Sequence, residues 1–167
     1  MATKSVLTYP AKELREKCTN VVDFTSEEFL TVMQDMVDTL GAYGAIGLAA
    51  PQIGVTKRVF ITNVDGKPQF FINPRITRKD GSITTKEGCL SFPNVFTRVE
   101  RASEITIHAI DADGGEFTAE LTGIDAVAAQ HEYDHLDAVL FIDKVGQLEK
   151  SMMLKKLRKV KKKFGIR

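Results

Sequence analysis

From Thr25 the chain becomes periodic. Phe29, Met33, Met36, Val37 and Leu40 recur at helical spacing and leave one apolar stripe. The preceding T-S-E-E sets Thr25 three residues before Glu28, the spacing of a capping box, so a helix is expected to open there. The glycine-rich LGAYGAIG ends it. The period then falls to two. RVFITNV and QFFINP are β-branched and aromatic runs joined across DGKP, and RASEITIHAID alternates Ile105, Ile107 and Ala109 with polar neighbours. ADGGEF then turns that strand into EFTAEL. Helical spacing returns from about Gly123 to Ala138, and again from about Leu148 to Phe164. Helices at both ends with strands between them predict an α+β fold, mainly antiparallel, packed around the second helix.

Composition changes this picture little. The 167 residues, 43% hydrophobic and 27% charged, suit a single domain spanning 1–167. No run of eighteen apolar residues occurs, so no membrane span is expected. The opening MATKSVLTYPAKELREK lacks the apolar segment of a secretory signal. Two cysteines do not make a disulfide framework, which favours a reducing cytoplasm, or an organelle stroma or matrix if a transit peptide has been removed. Charge is uneven. KKLRKVKKK, Lys155 to Lys163, carries seven bases within a net charge of +1, so a basic helix over 148–164 follows a mildly acidic body.

The candidate chemistry lies in QHEYDHLD. His131, Glu132 and His135 spell H-E-x-x-H, two metal ligands one helical turn apart with a base between them. Ile124, Val127 and Ala128 share the histidine face, which turns that face inward. Catalytic sites of this kind usually take three protein ligands. Asp137, Asp143 and Glu149 lie downstream in no second ligand pattern, and the remaining histidine, His108, sits on an alternating strand. Cys89, in EGCLSFP, follows a glycine that permits close backbone approach and becomes the strongest candidate. Cys18, in EKCTN, has no such setting.

AIGLAAPQ (Ala45 to Gln52), EGCLS (Glu87 to Ser91) and QHEYDHL (Gln130 to Leu136) resemble, in order, the three motifs of the peptide deformylase family; YPAKELREKC and LFID look similar too. The resemblance implies removal of the formyl group from N-terminal formylmethionine of nascent polypeptides, with release of formate. It implies Cys89, His131 and His135 as ligands of one divalent ion, Fe(2+) first, with Zn(2+), Ni(2+) or Co(2+) as alternatives. Metal-bound water would attack the formyl carbon, with Glu132 as general base and then acid. The side-chain amide of Gln52 and the backbone N–H of Leu90 would receive the oxyanion. The family binds its peptide as an added strand, here against Ala45, Ile46 and Gly47 with Gly88 opposite. Ile46, Ile124, Val127 and Ala128 would take the methionine, although plain core packing gives the same spacing. Glu87 and Arg101, placed at the start of the next strand, would pair to support the Cys89 loop.

Two positions depart from the family pattern. Ala45 stands where glycine usually opens the first motif, and Ala138 follows Leu136-Asp137 where glycine is usual. A left-handed Ala138 would cost about 1 kcal/mol relative to glycine. Met153, Leu157, Val160 and Phe164 form a stripe on the last helix, which is expected to dock on the body and turn its bases towards ribosomal RNA. A monomer without DNA or membrane partners is expected. Rival readings are a zinc endopeptidase, which the upstream EGCLS argues against, and a non-catalytic RNA-binding protein, which would need none of Gln52, Cys89, His131, Glu132 and His135.

Overall fold

The computed structural model describes residues 2–167. Its strands are β1 (Gly47–Ala49), β2 (Val59–Val64), β3 (Lys67–Asp80), β4 (Ile83–Cys89), β5 (Phe92–Arg101), β6 (Glu104–Ile110) and β7 (Glu116–Thr122). Its helices are α1 (Glu27–Tyr43), α2 (Gly123–Leu136) and α3 (Gln147–Phe164). All pairings within the strands are antiparallel, in a five-stranded sheet ordered β1-β2-β3-β6-β7 and a separate β4-β5 ribbon. The fold is α+β, as its periodicity predicts.

Helix α1 starts one residue later than expected. Asp23 accepts hydrogen bonds from both the N–H and the hydroxyl of Thr25, which leaves Ser26 as the cap, its Oγ accepting from Phe29 N–H. The helix stops at Gly44, in the left-handed region at φ 60°. The DGKP connection is a two-residue turn. Asp65 and Gly66 both have positive φ, the requirement of a hairpin turn whose twist matches its strands.

Strand β2 is buried on both faces, which explains its unbroken apolar run. Val59 and Ile61 join Met33, Met36 and Leu40 of α1 in one core. Phe60 points the other way, stacks on Phe71 with ring centroids 4.7 Å apart, and meets Ala126 and Ala129 of α2. Small residues on α2 let it approach the sheet. The helix is enclosed on nearly all sides, so its polar Gln130, His131, Glu132 and His135 are buried and need partners. Ala138 does take the left-handed conformation, at φ 60°, as the chain leaves this helix.

A third core joins distant parts of the chain. Leu14 packs with Phe92, Val95 and Val99 of β5, with Phe141, and with Met153 and Leu157 of α3. Fully burying such a side chain contributes about 1.5–3 kcal/mol. The expected stripe on α3 is therefore half realised: Met153 and Leu157 are buried, Val160 is partly covered, and Phe164 is exposed.

Three strands are absent from the sequence reading. Strand β1 has only three residues, and β4 reads ITTKEGC, without an apolar alternation. Pro93 lies near the start of β5, where a bulge removes the need for its missing N–H. Arg101 is accordingly the last residue of β5, not the first of the next strand.

Candidate metal centre and cleft

The β4-β5 connection brings Cys89 to α2. Leu90 and Ser91 form a tight turn between Cys89 and Phe92, and the register jumps from Gly88↔Phe96 to Cys89↔Phe92. The extra residues bulge out of β5, with Asn94 at φ 57°, and re-aim the Cys89 end of the ribbon. Potential ligand atoms of Cys89, His131 and His135 all lie within 4.8 Å of one another. Cys89 Sγ and His135 Nε2 are 3.5 Å apart. Typical bond lengths of about 2.3 Å to a thiolate and 2.0–2.1 Å to imidazole, opened tetrahedrally, give the same separation of about 3.5 Å.

The surroundings suit a cation. His131 Nδ1–H donates to Glu87 Oε1 at 2.8 Å, which fixes the tautomer and frees Nε2 towards the cysteine. Arg101 holds Glu87 through Nε and Nη2, at 2.6 and 2.9 Å, and reaches Asp134 through Nη1 at 2.9 Å. Burial favours the neutral Glu87 carboxyl, but His131 and Arg101 outweigh it and hold the group below its usual range. Burial likewise opposes charge on His131, yet the sulfur of Cys89 and the carboxylate of Glu87 raise it well above an ordinary histidine. Burial, followed by the charge of His131, lowers His135 well below one.

Glu132 lies alongside. Burial raises its carboxyl to about 7, the range of an effective general base or acid. Its Oε2 is buried without a partner among the described residues, and so is His135 Nδ1. Gly47 makes room for it: a Cβ there would sit 2.5 Å from Glu132 Oε1. Gln52 is oriented by Ala49 N–H, which donates to its Oε1 at 2.9 Å. Its Nε2 therefore faces Ser91 Oγ at 3.2 Å and Cys89 Sγ at 3.5 Å.

These groups line one cleft of about 620 Å³ between β1, the ribbon and α2. Ala45, Ile46, Gly47, Gln52, Glu87, Gly88, Cys89, Leu90, Ile124, Val127, Ala128, His131 and Glu132 all border it, while His135 and Arg101 lie behind its wall. The residues that the family resemblance points to as site residues are thus in or directly behind this cleft. His108 is elsewhere, its ring against Thr118 Oγ1, and Cys18 is buried in the core beneath α2. Residues missed are Asp134, which shares Arg101, the fully buried Ser91, and the cleft-mouth residues Tyr43, Lys86 and Phe96. Asp134 and Ser91 stand inside the quoted motifs, but only cross-element contacts give them a role.

A half-buried thiol and two imidazoles, flanked by a buried carboxylate in an open cleft, are the arrangement of a metal-dependent hydrolase. Residues 3–151 match the sequence profile described as polypeptide deformylase. The peptide deformylase of Pelagibacter ubique is 42% identical over 96% of this chain and 96% of its own, and that of Maricaulis maris 41% over 97% and 96%. A peptide deformylase crystal structure from Legionella pneumophila superposes with a TM-score of 0.94 at 34% identity, covering 99% of both chains. One from Ehrlichia chaffeensis, in complex with actinonin, gives 0.91 at 32% over 98% of each. The chain belongs to the peptide deformylase family, hydrolases that remove the N-formyl group from nascent peptides. No helix among the described residues is long and apolar enough to cross a membrane.

Proposed function

We propose that Cys89, His131 and His135 hold one divalent ion, and that Glu132, Gln52 and Leu90 carry out formyl hydrolysis beside it. The observation that carries this reading is the convergence of the three ligand atoms within 4.8 Å beside a buried carboxylate. A bound ion supplies Lewis acidity, polarising the formyl oxygen and making water a nucleophile near neutral pH. Thiolate and imidazole ligands accommodate iron(II), which we take as the native metal, and also zinc, nickel or cobalt. Glu132 accepts the proton of the attacking water and passes it to the departing amine. Gln52 Nε2–H, held in direction by Ala49, and Leu90 N–H in the turn donate to the developing oxyanion. Removing one such donor typically costs about 2.7–4 kcal/mol of transition-state stabilisation.

The peptide adds as a strand at the outer edge of β1, which pairs only with β2 in the sheet. Ala45, Ile46 and Gly47 offer backbone on one side and Gly88 on the other, while Ile46, Ile124, Val127 and Ala128 receive the methionine. Glu87 and Arg101 position His131. Residues 1–167 act as one monomeric domain in the cytoplasm or an organelle, with 148–164 as a basic extension. On α3, Lys155, Lys156, Arg158, Lys159, Lys162 and Lys163 are exposed and available to ribosomal RNA. Because the same helix buries Met153 and Leu157, reversing the charges of Lys155, Lys159 and Lys162 is a better test than truncation. Ribosome binding should weaken while small-peptide turnover persists; unchanged binding would reject that contact.

The central test is formate release from a formyl-methionyl tripeptide by protein prepared without oxygen and loaded with iron(II). Turnover is expected to fall by about 10²–10⁴-fold in Glu132→Gln. Absence of formate release from the metal-loaded parent protein would overturn the reading.

A further inference from the structure

Four of the large apolar side chains left exposed are gathered at the mouth of the cleft: Tyr43 (47%), Ile46 (53%), Phe96 (53%) and Ile124 (50%). Phe96 is the one contributed by the ribbon. It stands opposite Gly88 in register, and a Cβ on Gly88 would lie 2.6 Å from its ring. The ring therefore rests on bare β4 backbone beside the path proposed for the peptide. The Lys86 ammonium sits 5.2 Å from the centroid of the same ring, a cation–π distance that holds it at the cleft edge.

Exposed charge on the cleft lining itself has one sign, although Glu100 follows Arg98 on the outer face of β5. Glu87 and Glu132 line the cleft but are buried, which leaves Lys86 as its only exposed charged residue. Arg98 is the register partner of Lys86 on the same outer face and is also exposed. Among the described residues neither has a salt-bridge partner. Successive positions on one face of a strand are about 6.8 Å apart, and an extended peptide repeats its side-chain direction at the same interval. A peptide leaving the cleft thus passes the Phe96 ring and then the paired cations within two or three residues.

Building on the deformylase reading above, we propose that Phe96 and Lys86 form a specificity-determining subsite for the side chains that follow formylmethionine. Phe96 takes an apolar or aromatic side chain, and Lys86, reinforced by Arg98, favours an acidic side chain over a basic one. No residue of this subsite touches the reacting atoms, so it acts chiefly on KM.

The test uses C-terminally amidated formyl-Met-Xaa-Xaa-Ser peptides, with Glu, Ala, Phe or Lys at either variable position and iron-loaded full-length protein. Glu is expected to exceed Lys in kcat/KM by about threefold to tenfold in at least one position, mainly through KM. Raising salt to about 0.5 M should compress that ratio. K86E should invert the order of Glu and Lys, and F96A should erase the advantage of Phe over Ala. Equal use of Glu and Lys by the parent protein, or an order that persists in K86E, would overturn the proposal while the alanine peptide still reports deformylation. Failure to release formate from every peptide would overturn both readings.

Discussion

Glu132 is a carboxylate held in a place that disfavours its charge. Burial raises its carboxyl from the ordinary range to about 7, so the metal-free folded state binds a proton more tightly than the unfolded chain does. The cost of ionising it is absent below the unfolded pKa near 4.5 and fully present above the folded value near 7. In metal-free protein, Glu132→Gln should therefore gain relative stability as pH rises. The difference between variant and parent should shift by on the order of 1–3 kcal/mol between about pH 5 and pH 8.5, measured by urea denaturation at both. An unchanged difference would mean that the carboxylate is solvated. The placement of His131, Glu132 and His135 together on one buried helix was legible in the sequence because helical spacing is local. Gln52 and Leu90 were legible only through the motifs around them. The side-chain amide owes its direction to Ala49 N–H, and the turn owes its shape to a bulge on the following strand.

At the level of elements, α2 and the β4-β5 ribbon are coupled by Arg101, which spans Glu87 on β4 and Asp134 on α2. Arg101→Ala should weaken metal binding by about 10–100-fold in a chelator competition, because Glu87 would lose the partner that holds it against His131. Metal affinity equal to that of the parent would show that His131 needs no such support. The exit from α2 gives a second expectation. With φ at 60°, Ala138 pays a steric cost that glycine avoids, so Ala138→Gly should stabilise the protein by about 1 kcal/mol in denaturant unfolding. The departure of Ala138 from the family pattern was readable, and so was its backbone consequence. The ribbon was not. Its β4 strand turns Lys86 and Gly88 outward and buries the charged Glu87, so period-two hydrophobicity is missing where the site is built.

Across the whole molecule, Asp143 is a junction. It accepts hydrogen bonds from Arg15, from Lys150 on α3 and from Leu140 N–H, which ties the segment before α1, the turn after α2 and the last helix together. Burial works to raise its pKa, but Arg15 and the other donors prevail and hold it well below the usual carboxylate range. A depressed carboxylate stabilises the fold above its unfolded pKa, near 3.8, and that stability is lost as pH falls towards the folded value. Asp143→Asn should cost about 1–2 kcal/mol at pH 7, a modest figure because the pair is partly exposed to solvent. The gap from the parent should narrow in acid below about pH 3.5, as followed by thermal unfolding across that range. A gap independent of pH would point to lost packing. The α+β class and the order of helices and strands could be read from periodicity. These junctions could not, since residues 15, 143 and 150 meet only through the third core.

That core also imposes an order in time. Leu14 finds its neighbours Met153 and Leu157 only after every strand and the first two helices have been made, and Lys161 completes the contact by donating to the carbonyl of Tyr9. The ribbon that presents Cys89 leans on the same cluster through Phe92, Val95 and Val99. A chain still threading through a ribosome has β4 and α2 before it has the helix that braces them. A protein whose family acts on nascent polypeptides thus gains the full support of its candidate metal site only once α3 has been made.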